Sequence, residues 1–206
     1  MSVETTYDQV FDAQEHYRLI LDSMARPGKI NIIPQVSISS PAALNQASGL
    51  LAFALLNRDA SFCAIAQDEV TTFIALHTAA EIADLEKADF VFIPGLQHKE
   101  FMGSLKTGNL SYPEDSATIV ADVTEISSSE IAGSLQLRLK GPGIKEIETV
   151  YVKGLNPEIL NELKEQNLEF PLGIDIILTD IENRLICLPR STDVTYTLVN
   201  EHTNNS

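Results

Sequence analysis

The chain of 206 residues has no tryptophan, only two cysteines, and few basic side chains, with 14 lysines and arginines against 29 aspartates and glutamates. A net charge of −15 repels phosphate backbones and anionic lipid headgroups, which disfavours nucleic-acid and membrane binding. The longest apolar run, residues 50–56, is too short to span a bilayer. Residues 1–7 lack the basic start and apolar core of a secretory signal. These absences favour a soluble cytoplasmic protein, or one that docks on a basic partner.

Several catalytic signatures are also missing. The sequence has no Gly-x-x-x-x-Gly-Lys-Ser/Thr loop, no Gly-x-Gly-x-x-Gly fingerprint and no Gly-x-Ser-x-Gly nucleophile elbow. Cys63 and Cys187 are too few for an iron–sulfur cluster and lie in apolar runs, so we interpret them as reduced core thiols. The four histidines lack ligand spacing, and His77 is more typical of a hydrogen-bonded residue than of a catalytic base. The residues therefore predict no metal site and no cofactor.

The most informative stretch is residues 169–190. Residues 174–178 and 185–188 form two apolar runs of strand length, and 180–183 between them suit a turn. Neither run alternates with polar residues, so both faces should be covered. This pattern predicts a hairpin in the middle of a layered domain.

Helices and strands are interspersed along the chain. Residues 8–25 predict a helix whose apolar stripe contains Phe11, Tyr17, Ile20, Leu21 and Met24. Ser40-Pro41 is typical of a helix start, with the helix ending near residue 56, and 97–106 predict a short helix. The fold class is therefore α/β, with three α/β/α layers and a mixed sheet in one domain over residues 1–200. Residues 201–206 are expected to form a disordered tail.

Basic side chains stand beside three glycine or proline bends. The residues concerned are Arg26 and Gly28, then Lys140, Gly141 and Gly143, then Arg190. One hypothesis is that the bends converge, aim backbone amides at an anion and let the cations complete a phosphate cradle. The alternative is that the glycines serve turns and the cations pair with carboxylates of an acidic protein. The spacing favours the second interpretation but leaves both open.

A fourth bend, Phe170-Pro-Leu-Gly173, precedes the hairpin. Gly173 lies between proline and a buried strand, so we expect backbone dihedrals there that a side chain would forbid.

Four segments are informative when they are considered together. They are Tyr17-Arg-Leu-Ile-Leu-Asp-Ser-Met-Ala-Arg-Pro-Gly28, Gly141-Pro-Gly-Ile144, Phe170-Pro-Leu-Gly-Ile-Asp175 and Leu188-Pro-Arg-Ser-Thr192. In this order and separation they resemble the PhnH family, the H subunit of the bacterial carbon–phosphorus lyase system. His77-Thr78 and Ala88-Asp89-Phe90 are weaker markers, and Ser23 stands where a second alanine is more typical.

The resemblance implies a reduced relative of the pyridoxal-phosphate-dependent transferase fold, without the cofactor. It implies a homodimer that joins the G, I and J subunits in a core complex. That complex attaches a phosphonate to ribose triphosphate by displacing adenine from ATP, and the J subunit later breaks the carbon–phosphorus bond. The family's H subunit has no settled catalytic role.

Two functional hypotheses follow. In the first, the chain is an interaction subunit in which Arg26 and Arg190 fix bends and shape a docking surface. In the second, Arg26, Lys140 and Arg190 hold the phosphates of ATP or of a ribose phosphonate. Residual pyridoxal-phosphate binding at Lys140, the only lysine at a predicted strand end beside glycines, is a weaker third possibility.

Overall fold

The described part of the chain folds into two β-sheets and four α-helices. The computed structural model describes residues 7–65, 68–93 and 101–200, so the predicted tail at 201–206 lies outside the described residues. The helices are α1 (Phe11–Ala25), α2 (Gln46–Leu55), α3 (Asp68–Thr78) and α4 (Pro157–Gln166), with a 3₁₀ turn at Met102–Ser104. The strands are β1 (Asn31–Ile32), β2 (Ser61–Ala64), β3 (Glu81–Ile82), β4 (Phe90–Ile93), β5 (Thr118–Asp122), β6 (Glu125–Ser127), β7 (Leu135–Lys140), β8 (Glu148–Lys153), β9 (Asp175–Thr179), β10 (Arg184–Leu188) and β11 (Asp193–Leu198).

The larger sheet has seven strands in the order β1-β10-β9-β5-β4-β2-β3. Strands β3, β2, β4, β5 and β9 pair in parallel, whereas β10 and β1 pair antiparallel at the other side. The smaller sheet is antiparallel throughout, in the order β11-β7-β8-β6. The α/β class with a mixed sheet is therefore confirmed.

The two faces of the larger sheet are covered differently. Helices α1, α2 and α3 pack on one face, where Leu50 and Phe73 meet Ile177. On the other face, the smaller sheet and α4 pack together, and Leu137 and Leu160 share a core with Ile176. The sequence predicted helices on both faces; among the described residues, α4 is the α-helix on this face and the smaller sheet covers much of the rest. The alternating apolar residues of β7 suit a sheet with one face buried and one solvated.

The predicted hairpin is confirmed as β9 and β10, with Leu185 opposite Thr179 and Leu188 opposite Ile176. Its turn is organised by the buried carboxylate of Asp180. That carboxylate accepts hydrogen bonds from the backbone nitrogens of Glu182 and Arg184 at 3.0 Å, and from Arg184 Nε at 2.7 Å. Strands β9 and β10 are buried except at their first residues, so they form a rigid frame to which the bends at both ends of the hairpin are attached.

The predicted apolar stripe of α1 is confirmed only in part, because Ile20 is buried and Met24 packs against the core whereas the other three residues are exposed. Phe11, Tyr17 and Leu21 are 75%, 46% and 50% exposed, and the buried residues of the helix are His16, Ile20 and Ser23. Tertiary contacts override the pattern here. Ser23 accepts a hydrogen bond from the Asn31 side chain at 2.8 Å, which turns that polar position inward.

The predicted helix start at Ser40-Pro41 is also wrong, because α2 begins at Gln46. Asp122, at the end of β5, sets that start. Its carboxylate accepts hydrogen bonds from the Asn45 backbone nitrogen at 2.8 Å and from Ser48 Oγ at 2.6 Å. Burial raises the pKa of Asp122, while these hydrogen bonds oppose the shift. The predicted helix at 97–106 begins outside the described residues, which show only the 3₁₀ turn.

Candidate functional site

The three basic bends meet at one end of the smaller sheet. A side chain at Gly143, where φ is +82°, would overlap the carbonyl oxygen of Ala25. A Cβ at Gly141 would lie 2.7 Å from the carbonyl oxygen of Ser191, directly after the third bend. Glycine is required at both positions because the neighbouring backbones approach so closely. The first bend thus contacts the second, and the second contacts the third.

The first bend is also packed against the smaller sheet. Gly28 has φ of +86°, and a Cβ there would lie 2.7 Å from Glu148 Cγ and 2.8 Å from Leu139 Cδ1. Because Leu139 belongs to β7 and Glu148 to β8, the end of α1 is anchored on this sheet.

Arg190 is directed inward and forms a clamp. Its Nη2 lies 2.5 Å from Asp175 Oδ2, and its Nε lies 3.3 Å and 3.2 Å from the two Asp175 oxygens. Its Nη1 donates to the carbonyl oxygens of Pro113 at 2.8 Å and Pro171 at 3.4 Å, and Nη2 also donates to Ser116 Oγ. Only 15% of the Arg190 side chain is exposed. The guanidinium therefore ties three loops together, and its donors are already used.

Arg26 and Lys140 face other directions. Arg26 is 56% exposed and pairs with Asp22 of its own helix, a carboxylate that also accepts from Lys29 Nζ at 2.7 Å. Lys140 is exposed and lines a shallow depression with Asp193. The bends converge through their backbones, but the three cations line three separate depressions.

An apolar groove of about 430 Å³ runs between α4 and the start of β11. Leu160 and Leu163 of α4 form one wall, and Val194 of β11 forms part of the other. The rim carries Leu168 and Phe170, which are 73% and 66% exposed. Exposed apolar side chains around a concave surface are typical of an interaction site.

A second depression, of about 580 Å³, lies beneath the first bend. Its basic residues are Arg26, Lys29 and Lys145, its hydroxyl groups come from Ser128 and Thr149, and it has one carboxylate, Glu148. Positive side chains beside hydroxyls are suited to a small anion.

Groups that could support catalysis are scarce. Within residues 7–65, 68–93 and 101–200, no cluster of three or more histidine, cysteine and acidic side chains could hold a metal ion. Cys63 and Cys187 are free thiols, as predicted. Burial raises the pKa of both, and the nearby Asp175 raises that of Cys187 further, so neither is an activated nucleophile. In the part of the chain that the structure covers, no helix has the length and apolarity to cross a bilayer.

His77 has the role that its position predicted. Its Nδ1 lies 2.8 Å from the Phe73 carbonyl oxygen one turn earlier in α3, and its ring stacks on Phe53. A ring held by the backbone and by an aromatic neighbour is a structural residue.

His16 is the titratable side chain that the sequence analysis passed over. It is fully buried against Tyr7, and neither ring nitrogen makes a hydrogen bond to the described part of the chain. Burial lowers its pKa, although the nearby Pro34 carbonyl and the charges of Asp12 and Glu15 oppose that shift.

This lowered pKa predicts a loss of stability in acid. Below the ordinary histidine pKa of about 6.5, the unfolded chain binds a proton that folded His16 resists, so unfolding is favoured as the pH falls. We expect the urea concentration at the unfolding midpoint to decrease more for the wild type than for His16→Phe when the pH is lowered from 7.5 to 5.5. Equal pH dependence in the two proteins would contradict this assignment.

Gly173 confirms the expectation for the fourth bend. Its φ is +137°, and a side chain would collide with Asn167 Oδ1, which accepts a hydrogen bond from the Ile174 nitrogen at 2.7 Å. Gly173→Val should lower the free energy of unfolding by about 1–3 kcal/mol. Thermal and urea unfolding test this value, and an unchanged melting temperature would show that the bend accepts a side chain.

The partners of Arg190 were not predicted from the sequence, although the hairpin register contained a signal for one. Because Leu188 pairs with Ile176, the next position along places the Pro189-Arg190 bend beside Asp175. No local pattern pointed to Ser116 or Pro113, which lie more than 70 residues away in sequence.

Comparisons with known proteins agree on one family. A family model described as bacterial phosphonate metabolism protein (PhnH) matches residues 5–195. The chain is 33% identical over 190 residues to the alpha-D-ribose 1-methylphosphonate 5-triphosphate synthase subunit PhnH of Rhizobium meliloti (strain 1021), covering 90% of this chain and 91% of that protein. It is 34% identical over 112 residues to a putative C-P lyase subunit protein, HtxG, of Stutzerimonas stutzeri, covering 54% of this chain and 53% of that protein.

Proposed function

This chain belongs to the PhnH family of bacterial phosphonate metabolism proteins, and we propose that it is an assembly subunit of the carbon–phosphorus lyase complex. In this role it supports the transfer of a phosphonate to ribose triphosphate, with displacement of adenine from ATP, while other subunits carry the reacting groups. We further propose that its partners are the G, I and J subunits, that the isolated chain is a cytoplasmic homodimer, and that residues 1–200 form one domain. The fold would be a reduced pyridoxal-phosphate-transferase-like fold that needs no cofactor.

One observation carries the assembly role. Arg190, a cation in the segments that carry the family resemblance, is committed to Asp175 and to two other loops, with only 15% of its side chain exposed. A phosphate would have to displace a carboxylate whose loss would leave a buried charge unpaired. The bends are therefore better suited to shaping a surface than to holding a substrate.

Co-elution tests the assembly role. The chain is mixed with purified G, I and J subunits, and the mixture is analysed by size exclusion with light scattering. We expect a complex whose mass includes this chain. A chain that elutes separately at every ratio, while the other subunits assemble, would contradict the proposal.

A contribution to ligand binding is the second candidate, and the depression beneath the first bend favours it. Arg26, Lys29 and Lys145 line it, and Lys145 adds a positive charge beyond Arg26 and Lys29, which pair with Asp22, although Glu148 also lines the depression. In this alternative the depression holds the phosphates of ATP or of a ribose phosphonate. Calorimetry with ATP distinguishes the two. Heat that is lost in Lys145→Ala would support a binding role, and no heat at millimolar ATP, for the chain alone and for the assembled complex, would eliminate it.

A further inference from the structure

We propose that the groove between α4 and β11 receives an extended apolar segment of a basic partner subunit, which adds a strand to the free edge of β11. The inference rests on the proposed function, since it names the surface that would hold the assembly subunit and the kind of segment that would bind there.

The first support is the edge of β11. This strand is the terminal strand of the smaller sheet, and its six residues pair with β7 on one side only. Within residues 7–65, 68–93 and 101–200, no backbone hydrogen bond reaches its outer edge. Natural edge strands are commonly protected by lysine, proline or a bulge, and the sequence Asp-Val-Thr-Tyr-Thr-Leu contains neither lysine nor proline. Asp193 is the one charged residue of the strand, and an edge of this length with so little protection is suited to strand addition.

The second support is the wall beside that edge. Leu160 and Leu163 of α4 face the start of β11 across the groove of about 430 Å³. Successive side chains of an added strand point to opposite faces, so alternate residues of the incoming segment would enter the groove. Backbone hydrogen bonds to β11 would then supply affinity, and the apolar wall would select the side chains.

The rim adds apolar area that nothing in the described chain covers. Leu168 and Phe170 lie where α4 ends, and they are 73% and 66% exposed. The loop that carries them is fixed at both ends. Asn167 holds the backbone of Ile174 at 2.7 Å and 3.1 Å, and Arg190 Nη1 holds the Pro171 carbonyl oxygen at 3.4 Å. A preorganised rim costs little conformational entropy when a partner binds.

Charge decides between a partner subunit and a second copy of this chain. The charges that line the groove itself nearly balance, because Lys164 stands against Asp193 and Arg190 is neutralised by Asp175. The excess lies on the rest of α4 and the following loop, where Glu162, Glu165 and Glu169 outnumber Lys164. A symmetric pairing of β11 with its own copy would bring the two acidic helices close together, which is unfavourable. A segment with basic residues beside its apolar ones would be attracted instead. The homodimer proposed above then uses another surface.

Hydrogen–deuterium exchange on the wild-type chain, alone and in the assembled complex, tests strand addition without any substitution. We expect the outward-facing amides of β11 to exchange at least tenfold more slowly in the complex. Unchanged exchange across residues 193–198 in a complex that does form would overturn the proposal. Exchange at these amides that becomes slower as the concentration of the isolated chain is raised would also overturn it, because a second copy would then occupy the edge.

A matched pair of variants tests the rim. Leu168→Glu places a charge on the groove, and Leu76→Glu places the same charge on α3, where Leu76 is 77% exposed. We expect Leu168→Glu to weaken assembly at least tenfold and Leu76→Glu to leave it unchanged, with equal melting temperatures. Equal affinities for the two variants would contradict the groove as the docking site. Absence of assembly even with the wild type would instead refute the proposed function, and this inference with it.

Discussion

Replacing Arg190 by alanine is expected to lower the free energy of unfolding by about 3 kcal/mol, the lower end of the range for removing one partner of a buried ion pair, because both side chains keep some exposure. The substitution would leave the Asp175 carboxylate, only 19% exposed, without its guanidinium. It would also release the carbonyl oxygens of Pro113 and Pro171, so three loops would lose their common contact. Urea unfolding of the purified variant measures the change.

Arg26→Ala is the matched control. Arg26 is also an arginine at a proline bend, but it is 56% exposed and pairs within its own helix. We expect a loss below about 0.5 kcal/mol, because exposed ion pairs are screened by water and salt. Comparable losses in the two variants would show that Arg190 is not the clamp that its contacts indicate.

Arg190→Lys separates charge from geometry. Lysine keeps the positive charge beside Asp175 but cannot reproduce the planar fork that reaches Ser116 and Pro113 at the same time. Its stability should therefore lie between those of the wild type and Arg190→Ala. Wild-type stability would contradict the role assigned to the loop contacts.

The second large effect is expected at Gly143. Valine there would have to adopt a φ of +82° and would overlap the Ala25 carbonyl oxygen, so the first two bends could not remain in contact. Backbone strain and overpacking together should cost about 3 kcal/mol or more. Thermal and urea unfolding measure this loss, and hydrogen exchange at the end of α1 shows whether the bends have separated.

Gly103→Val is the control for that substitution. Gly103 lies in the 3₁₀ turn, and a Cβ there would meet no atom within 4 Å. We expect a change within about 0.5 kcal/mol. If Gly143→Val were equally mild, the close contact between the two bends could not be a requirement of the fold.

The hairpin could be predicted from sequence because its information is local. Two apolar runs and a turn containing Asp180 and Asn183 specify β9 and β10 without reference to the rest of the chain. The need for glycine at position 173 was similarly visible from the proline before it and the buried strand after it.

Other features depend on contacts that are distant in sequence. The true start of α2 is set by Asp122, 77 residues from Asn45, and it overrides the helix-start pattern at Ser40-Pro41. The second face of the larger sheet is covered mainly by a sheet rather than by helices, because β6, β7, β8 and β11 pair with one another.

In the candidate site, too, some features follow from local sequence and others depend on contacts that are distant in sequence. The bends could be identified from sequence, and their convergence could be stated as a hypothesis. The direction of each cation could not, because Arg190 is turned inward by Asp175 while Arg26 is held outward by Asp22. Because Arg190 and Arg26 point in different directions and each pairs with a carboxylate, the assembly proposal gives the bends a structural role rather than a phosphate-binding one.

The most direct test of the account is adenine release from ATP in the presence of a phosphonate, measured for the purified chain alone, for the G, I and J subunits alone, and for the assembled complex. We expect no release by the isolated chain, and more release by the complex than by the other subunits without this chain. Turnover by the isolated chain would contradict the claim that the reacting groups lie in its partners.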